Sequence, residues 1–377
     1  MSARGIRALA ALAGAATLIA GCDSGSTDSG GGGNGGSTGT KYPQAAAYIA
    51  TLMQRPTALN ITESIGKSVP PGKTIDYIQC GSPACVGNGD ALDEAAKTLG
   101  WKVNRINAGL TAESIKSAWG QAASQHPDAV VTSGFSRALF NPELAQLAAA
   151  KIPVIDLTTA DNPGDGLTAV YGYGSQWATQ GKILADYMLA NAGSQPVKAV
   201  TVTVSAYANL GMIADGLSKE VAGQCGDCAV ASLDVPVSSI GSDLPSRITS
   251  YLSAHPDVNW VYVGFADMVT GLPAALSSAG LGKVKLVTID DTATSQNYMR
   301  NGQSLVMSAG FDIHEMMWRA VDYLARTWAG ASTTQNTAVD GLPVWVVTKD
   351  NLPAAGSGYL AYVEQFQTQY KKLWGVS

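Results

Sequence analysis

From Lys73 onward the chain alternates between short β-branched runs and longer stretches whose apolar residues recur at helical spacing. The pattern predicts strands at Thr74–Cys80, Trp101–Asn107, Ala129–Ser133, Ile152–Leu157 and Thr168–Tyr173. Helices are predicted between them at Gly87–Leu99, Thr111–Gln125 and Asn141–Ala150, the second opened by a Thr-Ala-Glu-Ser cap. A long helix, Ser175–Asn191, restarts the cycle. Strands follow at Val197–Val204, Ala229–Leu233, Val258–Val263 and Val284–Ile289, with helices at Leu210–Ala222, Leu244–Ala254 and Thr270–Ala279. Between Asp290 and Gly310 the rhythm breaks into a short helix and a strand, Ser304–Ala309. A helix at His314–Trp328, a strand at Val344–Thr348 and a C-terminal helix at Gly358–Trp374 end the chain. A further helix around Pro43–Gln54 precedes the series. Strands alternating with helices of this length imply βαβ units with right-handed crossovers, an α/β fold built on parallel sheets.

One stretch occurs twice. His126-Pro127-Asp128 is followed by Ala-Val-Val-Thr-Ser and Gly134-Phe135; His255-Pro256-Asp257 is followed by Val-Asn-Trp-Val-Tyr-Val and Gly264-Phe265. Proline cannot continue a helix and Val-rich runs suit buried strands, so each copy marks the turn from a helix into a central parallel strand. Two such units predict two similar Rossmann-like lobes. Ligands in open parallel sheets collect beyond the carboxyl ends of the strands, so both Gly-Phe loops are expected at a shared cleft.

With 377 residues, 46% hydrophobic and 14% charged, the chain is long enough for two globular domains. The net charge of −5, and the lack of any Lys/Arg block after Arg7, exclude nucleic acid as a partner. Arg4 and Arg7 precede an apolar segment, Ala8 to Ala20, that is too short to span a bilayer. Leu18-Ile19-Ala20-Gly21-Cys22 resembles a bacterial lipobox, which implies a signal peptide at 1–21 and a lipidated, membrane-anchored Cys22. The Gly/Ser-rich stretch that follows, 22–41 with Cys22, is a flexible tether by composition. Four further cysteines, an even number for an oxidising compartment, lie in close pairs, Cys80 with Cys85 and Cys225 with Cys228. Both pairs are expected as local disulfides. Cys-x-x-Cys at 225–228 also suits zinc or redox chemistry, but no histidine lies near it and it does not open a helix after a strand.

Catalytic chemistry is not visible. The three histidines are scattered, and neither a Gly-x-Ser-x-Gly elbow nor a phosphate loop is present. Asp290-Asp291 are adjacent on an extended segment and point apart, which suits one carboxylate for a ligand and one for a hinge better than acid–base work. No enzyme activity, cofactor or metal is expected.

The order of elements, together with Gly89-Asp90-Ala91-Leu92-Asp93-Glu94-Ala95-Ala96-Lys97-Thr98-Leu99-Gly100-Trp101, Ile152-Pro153-Val154-Ile155-Asp156 and Ala266-Asp267-Met268 with Gly271, resembles the type I periplasmic binding proteins of ABC importers, the ribose-binding-like sugar family. The resemblance covers about residues 73 to 350. It implies two lobes joined by three hinge crossovers near 172–174, 290–292 and 328–332, which close on a small molecule and present it to a permease. The N-terminal lobe is then 42–172 plus 292–330, the C-terminal lobe 173–291 plus 331–350, and 351–377 a helical tail. The same fold in lactose-type repressors carries a helix-turn-helix where this chain has the lipobox, so a repressor is excluded. A monomeric, extracytoplasmic solute-binding lipoprotein is the leading expectation. A receptor that shows its ligand to a membrane signalling partner needs the same cleft and stays open, as does an enzyme on a borrowed fold.

The resemblance places the cleft at Ser82, Pro83, Ser133, Phe135, Thr158, Thr159, Tyr173, Tyr207, Phe265, Asp267, Asp290 and Gly310. Only Asp290 keeps the family's counterpart, its hinge Asp. Ser82, Ala84 and Cys85 stand where the family has an Asn and two Phe, Thr158 and Thr159 where it has Asp-Arg, Phe265 for an Asn, and Gly310 for a hinge Gln. The loop Tyr207 to Ile213 holds no cation where the family places an Arg. With Phe135, Tyr173, Trp177, Tyr207 and Phe265 around the mouth, the expected ligand is less polar than a free sugar. A polar alternative uses Ser133, Arg137, Asn209 and Asp267 for a true sugar.

Overall fold

The computed structural model describes residues 40–81, 83–109, 111–338, 341–355 and 359–376. The expected signal peptide, Cys22 and the tether as far as Gly39 lie outside the described residues, as do Ser82 and Gly358, the expected start of the last helix. After α1 (Pro43–Leu52), the first lobe runs β1 (Thr74–Cys80), α2 (Pro83–Thr98), β2 (Lys102–Gly109), α3 (Ala112–Gln125), β3 (Ala129–Ser133), α4 (Asn141–Ala149), β4 (Val154–Leu157) and β5 (Ala169–Tyr171). The second runs α5 (Ser175–Ala190), β6 (Lys198–Thr203), α6 (Ala208–Gln224), β7 (Ala229–Asp234), α7 (Leu244–Ala254), β8 (Trp260–Val263), α8 (Leu272–Ser278), β9 (Lys285–Ile289), α9 (Ala293–Arg300) and β10 (Leu305–Phe311). Then come α10 (Ile313–Ala329), β11 (Val344–Val347) and α11 (Phe366–Trp374).

The sheets have the orders β2-β1-β3-β4-β5 and β11-β10-β9-β8-β6-β7, so β1 to β5 correspond to β6 to β10. Their strands pair in parallel except for the antiparallel β10–β11 edge. The repeated motif occupies matching places. His126 caps α3 in the left-handed region, and His255 caps α7. Just before β3, the Asp128 carboxylate accepts from Thr74 N at 2.8 Å; just before β8, the Asn259 amide oxygen accepts from Lys198 N at 2.9 Å. Each ties the first residue of the neighbouring strand into the sheet. The shared glycines serve different needs: Gly134 takes φ +79°, whereas a Cβ on Gly264 would stand 2.8 Å from Met268 Sδ.

Both cysteine pairs are bridged, Cys80–Cys85 in the first lobe and Cys225–Cys228 in the second, with Cα separations of 5.6 and 5.4 Å. The sulfurs beside Asp227 therefore offer no thiolate to a metal.

Two sequence expectations need correction. Residues 290–292 do not carry the chain out of the second lobe: α9 leads to β10, which pairs with β9. The broken rhythm there reflects a short crossover helix between parallel neighbours, and the chain leaves the second sheet only at Asp312. The last helix is also shorter than expected, since α11 starts at Phe366.

The reason the tail takes this path is α10. This helix packs on α2 of the first lobe and buries four charged residues as two i,i+4 pairs, Glu315–Arg319 at 3.0 Å and Asp322–Arg326 at 2.7 Å. Buried charges persist only when their remaining donors and acceptors are met. Segments outside the βαβ series meet them here. Arg319 Nη1 donates to Asn336 O and Arg326 Nη2 to Glu63 O, while Asp322 accepts from Asn336 Nδ2 and from Trp374 Nε1 at 2.8 Å. Tyr370 OH donates to Glu315. Trp374 stacks on Trp318 with centroids 5.4 Å apart, sealing the pairs from water.

The leader and the tail also hold each other. Arg55 donates to Ala361 O and Tyr362 O, Leu59 N to Gln369 Oε1, and Ile65 N to Leu373 O. Since α1 packs on α5 and β11 while α11 packs on α10, each of these segments adds a connection between the lobes.

Candidate functional site

Most of the expected cleft residues that are described lie at or just after the carboxyl ends of strands, and the local backbone explains their placement. In the first lobe, Ser133 ends β3 with its hydroxyl 3.5 Å from Tyr77 OH. Pro83 is the first residue of α2. Thr158 leaves β4 with φ +56°, and the next residue, Thr159, is buried with its hydroxyl donating to Phe135 O at 3.2 Å. In the second lobe, Tyr207 caps α6 and its ring meets Phe265 edge-on, centroids 6.1 Å apart. Asp267 lies in the single helical turn Ala266–Val269 after β8, and burial raises its carboxyl above the usual range.

Asp290 sits where the lobes join. It follows β9 at φ +59°, its N–H donating to Ala309 O at 3.1 Å and its carbonyl accepting from Ser308 Oγ. A Cβ at Gly310 would come within 3.2 Å of Asp290 N and Oδ1, so position 310 accommodates no side chain without moving the aspartate. That packing accounts for glycine where a hinge glutamine was the family expectation. Burial, followed by the neighbouring carboxylates Asp291, Asp267 and Asp312, pushes Asp290 up to about 7. Burial likewise raises Asp291 to about 7 against a hydrogen bond from Gln296 Nε2 at 2.5 Å.

The aromatic residues divide. Phe135 is buried within the core between the first sheet and α3 and α4. Trp177 is a hinge brace: its Nε1 donates to Thr159 O at 2.8 Å, and its ring lies 5.6 Å from that of Phe311, so it packs together two passages of the chain between lobes. Tyr173, Tyr207 and Phe265 remain partly exposed. Arg137 is engaged by Asp161 at 3.5 Å and Asp165 at 3.1 Å, within its own lobe.

Other residues beside the hinge were not anticipated. Asp312 caps α10 by accepting from Glu315 N at 2.9 Å, and also accepts from Tyr362 N and Tyr359 OH. The Tyr359 ring stacks on His314, centroids 3.8 Å apart, and burial lowers His314 to about 4. An Asp-x-x-Glu spacing at 312–315 announces the cap. Nothing in periodicity announces that the tail returns to it.

The carboxylates make a signed prediction. Asp290 and Asp291 rise from 3.8 to about 7 on folding, so the folded chain holds more protons across that window and their contribution to stability is lost as pH rises through about 7. His314, lowered from 6.5 to about 4, acts in the opposite sense, favouring the folded state more as pH rises over that lower window. Comparison with Asp290→Asn isolates the aspartate. Between about pH 5 and about pH 8 the melting temperature of the unmodified protein should fall relative to that of the variant; parallel calorimetric curves would contradict the assignment.

Residues 72–332 match the periplasmic binding protein domain family. A comparison with curated proteins finds no match. Among solved structures, a glucose-galactose binding protein from Geobacillus stearothermophilus superposes with a TM-score of 0.65 at 19% identity, covering 76% of this chain and 100% of that one. An ABC transporter solute binding protein from Mycobacterium smegmatis, with bound glycerol, gives 0.65 at 20% identity over 77% and 100% of the two chains. A carbohydrate transporter from Acidothermus cellulolyticus, in complex with myo-inositol, gives 0.61 at 18% identity over 75% and 96%. The two-lobe architecture with parallel sheets agrees with the family match, and the chain belongs to the periplasmic binding protein domain family.

Proposed function

We propose that the protein is an extracytoplasmic solute receptor, anchored through a lipidated Cys22, that traps a small molecule between its lobes and delivers it to an ABC permease. The observation that carries this reading is the convergence on Asp290. The end of β9 and the exit of β10 toward the first lobe meet at Asp290, against which Gly310 packs, at the carboxyl ends of the strands where ligands collect in parallel α/β sheets. The sheet pairing supports lobe boundaries near 172–174, at Asp312 and, as expected, near 328–332. The site works by binding and closure and calls for no catalytic group or cofactor. A receptor that passes the occupied state to a membrane signalling partner needs the same cleft and is the alternative; transport of the cleft ligand by cells carrying the gene separates the two.

For the ligand, a ring-bearing molecule less polar than a free sugar fits best. Ser133, Thr158, Thr159, Asp267 and Asp290 supply few groups for hydroxyls, Arg137 is engaged elsewhere, and Tyr173, Tyr207 and Phe265 offer apolar surface. Each buried hydroxyl left unpaired costs about 1–3 kcal/mol, enough over several groups to abolish micromolar binding. Sugars and polyols, named for the similar structures, are the second reading and would use Ser133, Arg137, Asn209 and Asp267.

Calorimetry of the purified protein against monosaccharides, myo-inositol and neutral alicyclic or aromatic alcohols tests the choice. The alcohols should bind and the Phe265→Asn variant should lose them; tight ribose, xylose or galactose binding by the unmodified protein would establish the sugar reading instead. For the anchor, Cys22→Ala should move the protein from the membrane fraction to the soluble one; a variant that stays with membranes would overturn the lipid attachment.

A further inference from the structure

The His-Pro-Asp motif of the first lobe borders a cavity at the opposite end of the sheet from the cleft. It has a volume of about 390 Å³ and is lined by Thr74, Asp76, Asn104, Gln125, His126, Pro127 and Asp128. At its floor Asp76 is 0% exposed. One carboxylate oxygen accepts from Asn104 Nδ2 at 3.0 Å; the other, Oδ2, is buried with no hydrogen-bond partner. Burial raises the Asp76 carboxyl above the usual range, with the Asn104 bond opposing.

The second lobe provides an internal comparison. Register through Thr74 and Lys198, the strand-initial residues tied by Asp128 and Asn259, aligns Asp76 with Val200 and its cross-strand partner Asn104 with Ala231. Val200 is fully buried. An apolar residue thus serves the architecture at this position, so the packing of the strand does not require the carboxyl, whose unmet oxygen is a cost; the similarly buried and half-paired Asp156 on β4 does not line this cavity.

The surroundings define what would meet that oxygen. Both oxygens of Asp128 are already engaged, by Lys73 Nζ and Thr74 N, each at 2.8 Å. The carbonyl end of the 14-residue helix α3 adds partial negative charge at Gln125 and His126. The cavity therefore presents one uncompensated carboxyl among acceptors. A single metal ion is a poor fit: among the described residues, the group with three ligand atoms close enough for one is Cys225, Asp227 and Cys228, far along the chain in the other lobe. A larger cation with several N–H donors matches the volume and the acceptor set.

We infer that the cavity beneath β1, β2 and the end of α3 is a second binding site, separate from the cleft, for a small organic cation bearing a guanidinium or a primary ammonium group, with Asp76 as its counter-ion. The guanidinium donates to Asp76 Oδ2, and Thr74 and Gln125 take the remaining donors.

Methylguanidinium and methylammonium chlorides are the probes, titrated into the full-length protein and followed by ligand-observed NMR and thermal unfolding, with sodium chloride at matched ionic strength as control. The expected result is saturable binding and a rise in melting temperature for at least one probe, lost in Asp76→Asn and in Asp76→Val, the latter reproducing the residue of the second lobe. No saturable binding to the unmodified protein, or binding undiminished in a folded Asp76 variant, overturns the inference. Should neither variant fold, Thr74→Val and Gln125→Leu remove the other acceptors: affinity weakened several-fold supports the site, and unchanged affinity refutes it.

Discussion

The architecture depends on two ion pairs that water cannot reach. Glu315–Arg319 and Asp322–Arg326 lie on the face of α10 that the leader and tail cover. Removing one partner of such a pair costs about 3–5 kcal/mol, because the other charge is left buried and alone. The same reasoning applies to the partners that complete the network. Glu63 O, Asn336, Tyr370 and Trp374 come from three separate stretches, and without them α10 would hold carboxylates and guanidinium groups with unmet hydrogen bonds. The leader, the 331–338 segment and the tail are thereby bound into one structural unit with the first lobe.

This constraint reaches the cleft because α10 begins at the hinge. Asp312, its cap, receives the tail through Tyr362 N, and Tyr359 lies over His314 on the first turn. The chain's passage from the second sheet to the first is therefore clamped by a segment that starts at β11, on the second sheet. The leader runs the other way, from α1 on the second lobe to β1 in the first. Under the proposed function, closure of the lobes would have to bend these segments along with the crossovers, which would link the angle between the lobes to the packing of α10. Asp290 and Asp291 stand beside this clamp, with the raised carboxyl values that burial and then neighbouring carboxylates impose.

Much of the fold was legible because parallel strands buried on both faces leave a strong local signal. The runs around Val130, Val200 and Val261 and the helices between them appear nearly where periodicity places them, and Leu244–Ala254 and Ala129–Ser133 match to the residue. The boundary near 290 was misread since a short helix between neighbouring strands breaks the rhythm much as a crossover does. The candidate site was legible only as positions along the chain. Motif position places Asp290, Tyr207 and Phe265 after strand ends, but which rings are buried depends on packing: Phe135 and Trp177 are buried, whereas Phe265 is partly exposed and meets Tyr207 edge-on. The clamp at Asp312 joins residues about 50 positions apart, Asp312 and Tyr362, through a backbone N–H that has no sequence signature.

The most direct test of this account is urea unfolding of Trp374→Phe. The substitution keeps an aromatic ring against Trp318 and removes the Nε1–H that satisfies Asp322. A buried carboxylate oxygen losing its donor should cost about 1–3 kcal/mol, so the unfolding midpoint should fall while the dependence on urea stays the same. A variant that unfolds at the same urea concentration as the unmodified protein would show that the tail merely rests on α10, and would contradict the claim that its buried charges hold the hinge together.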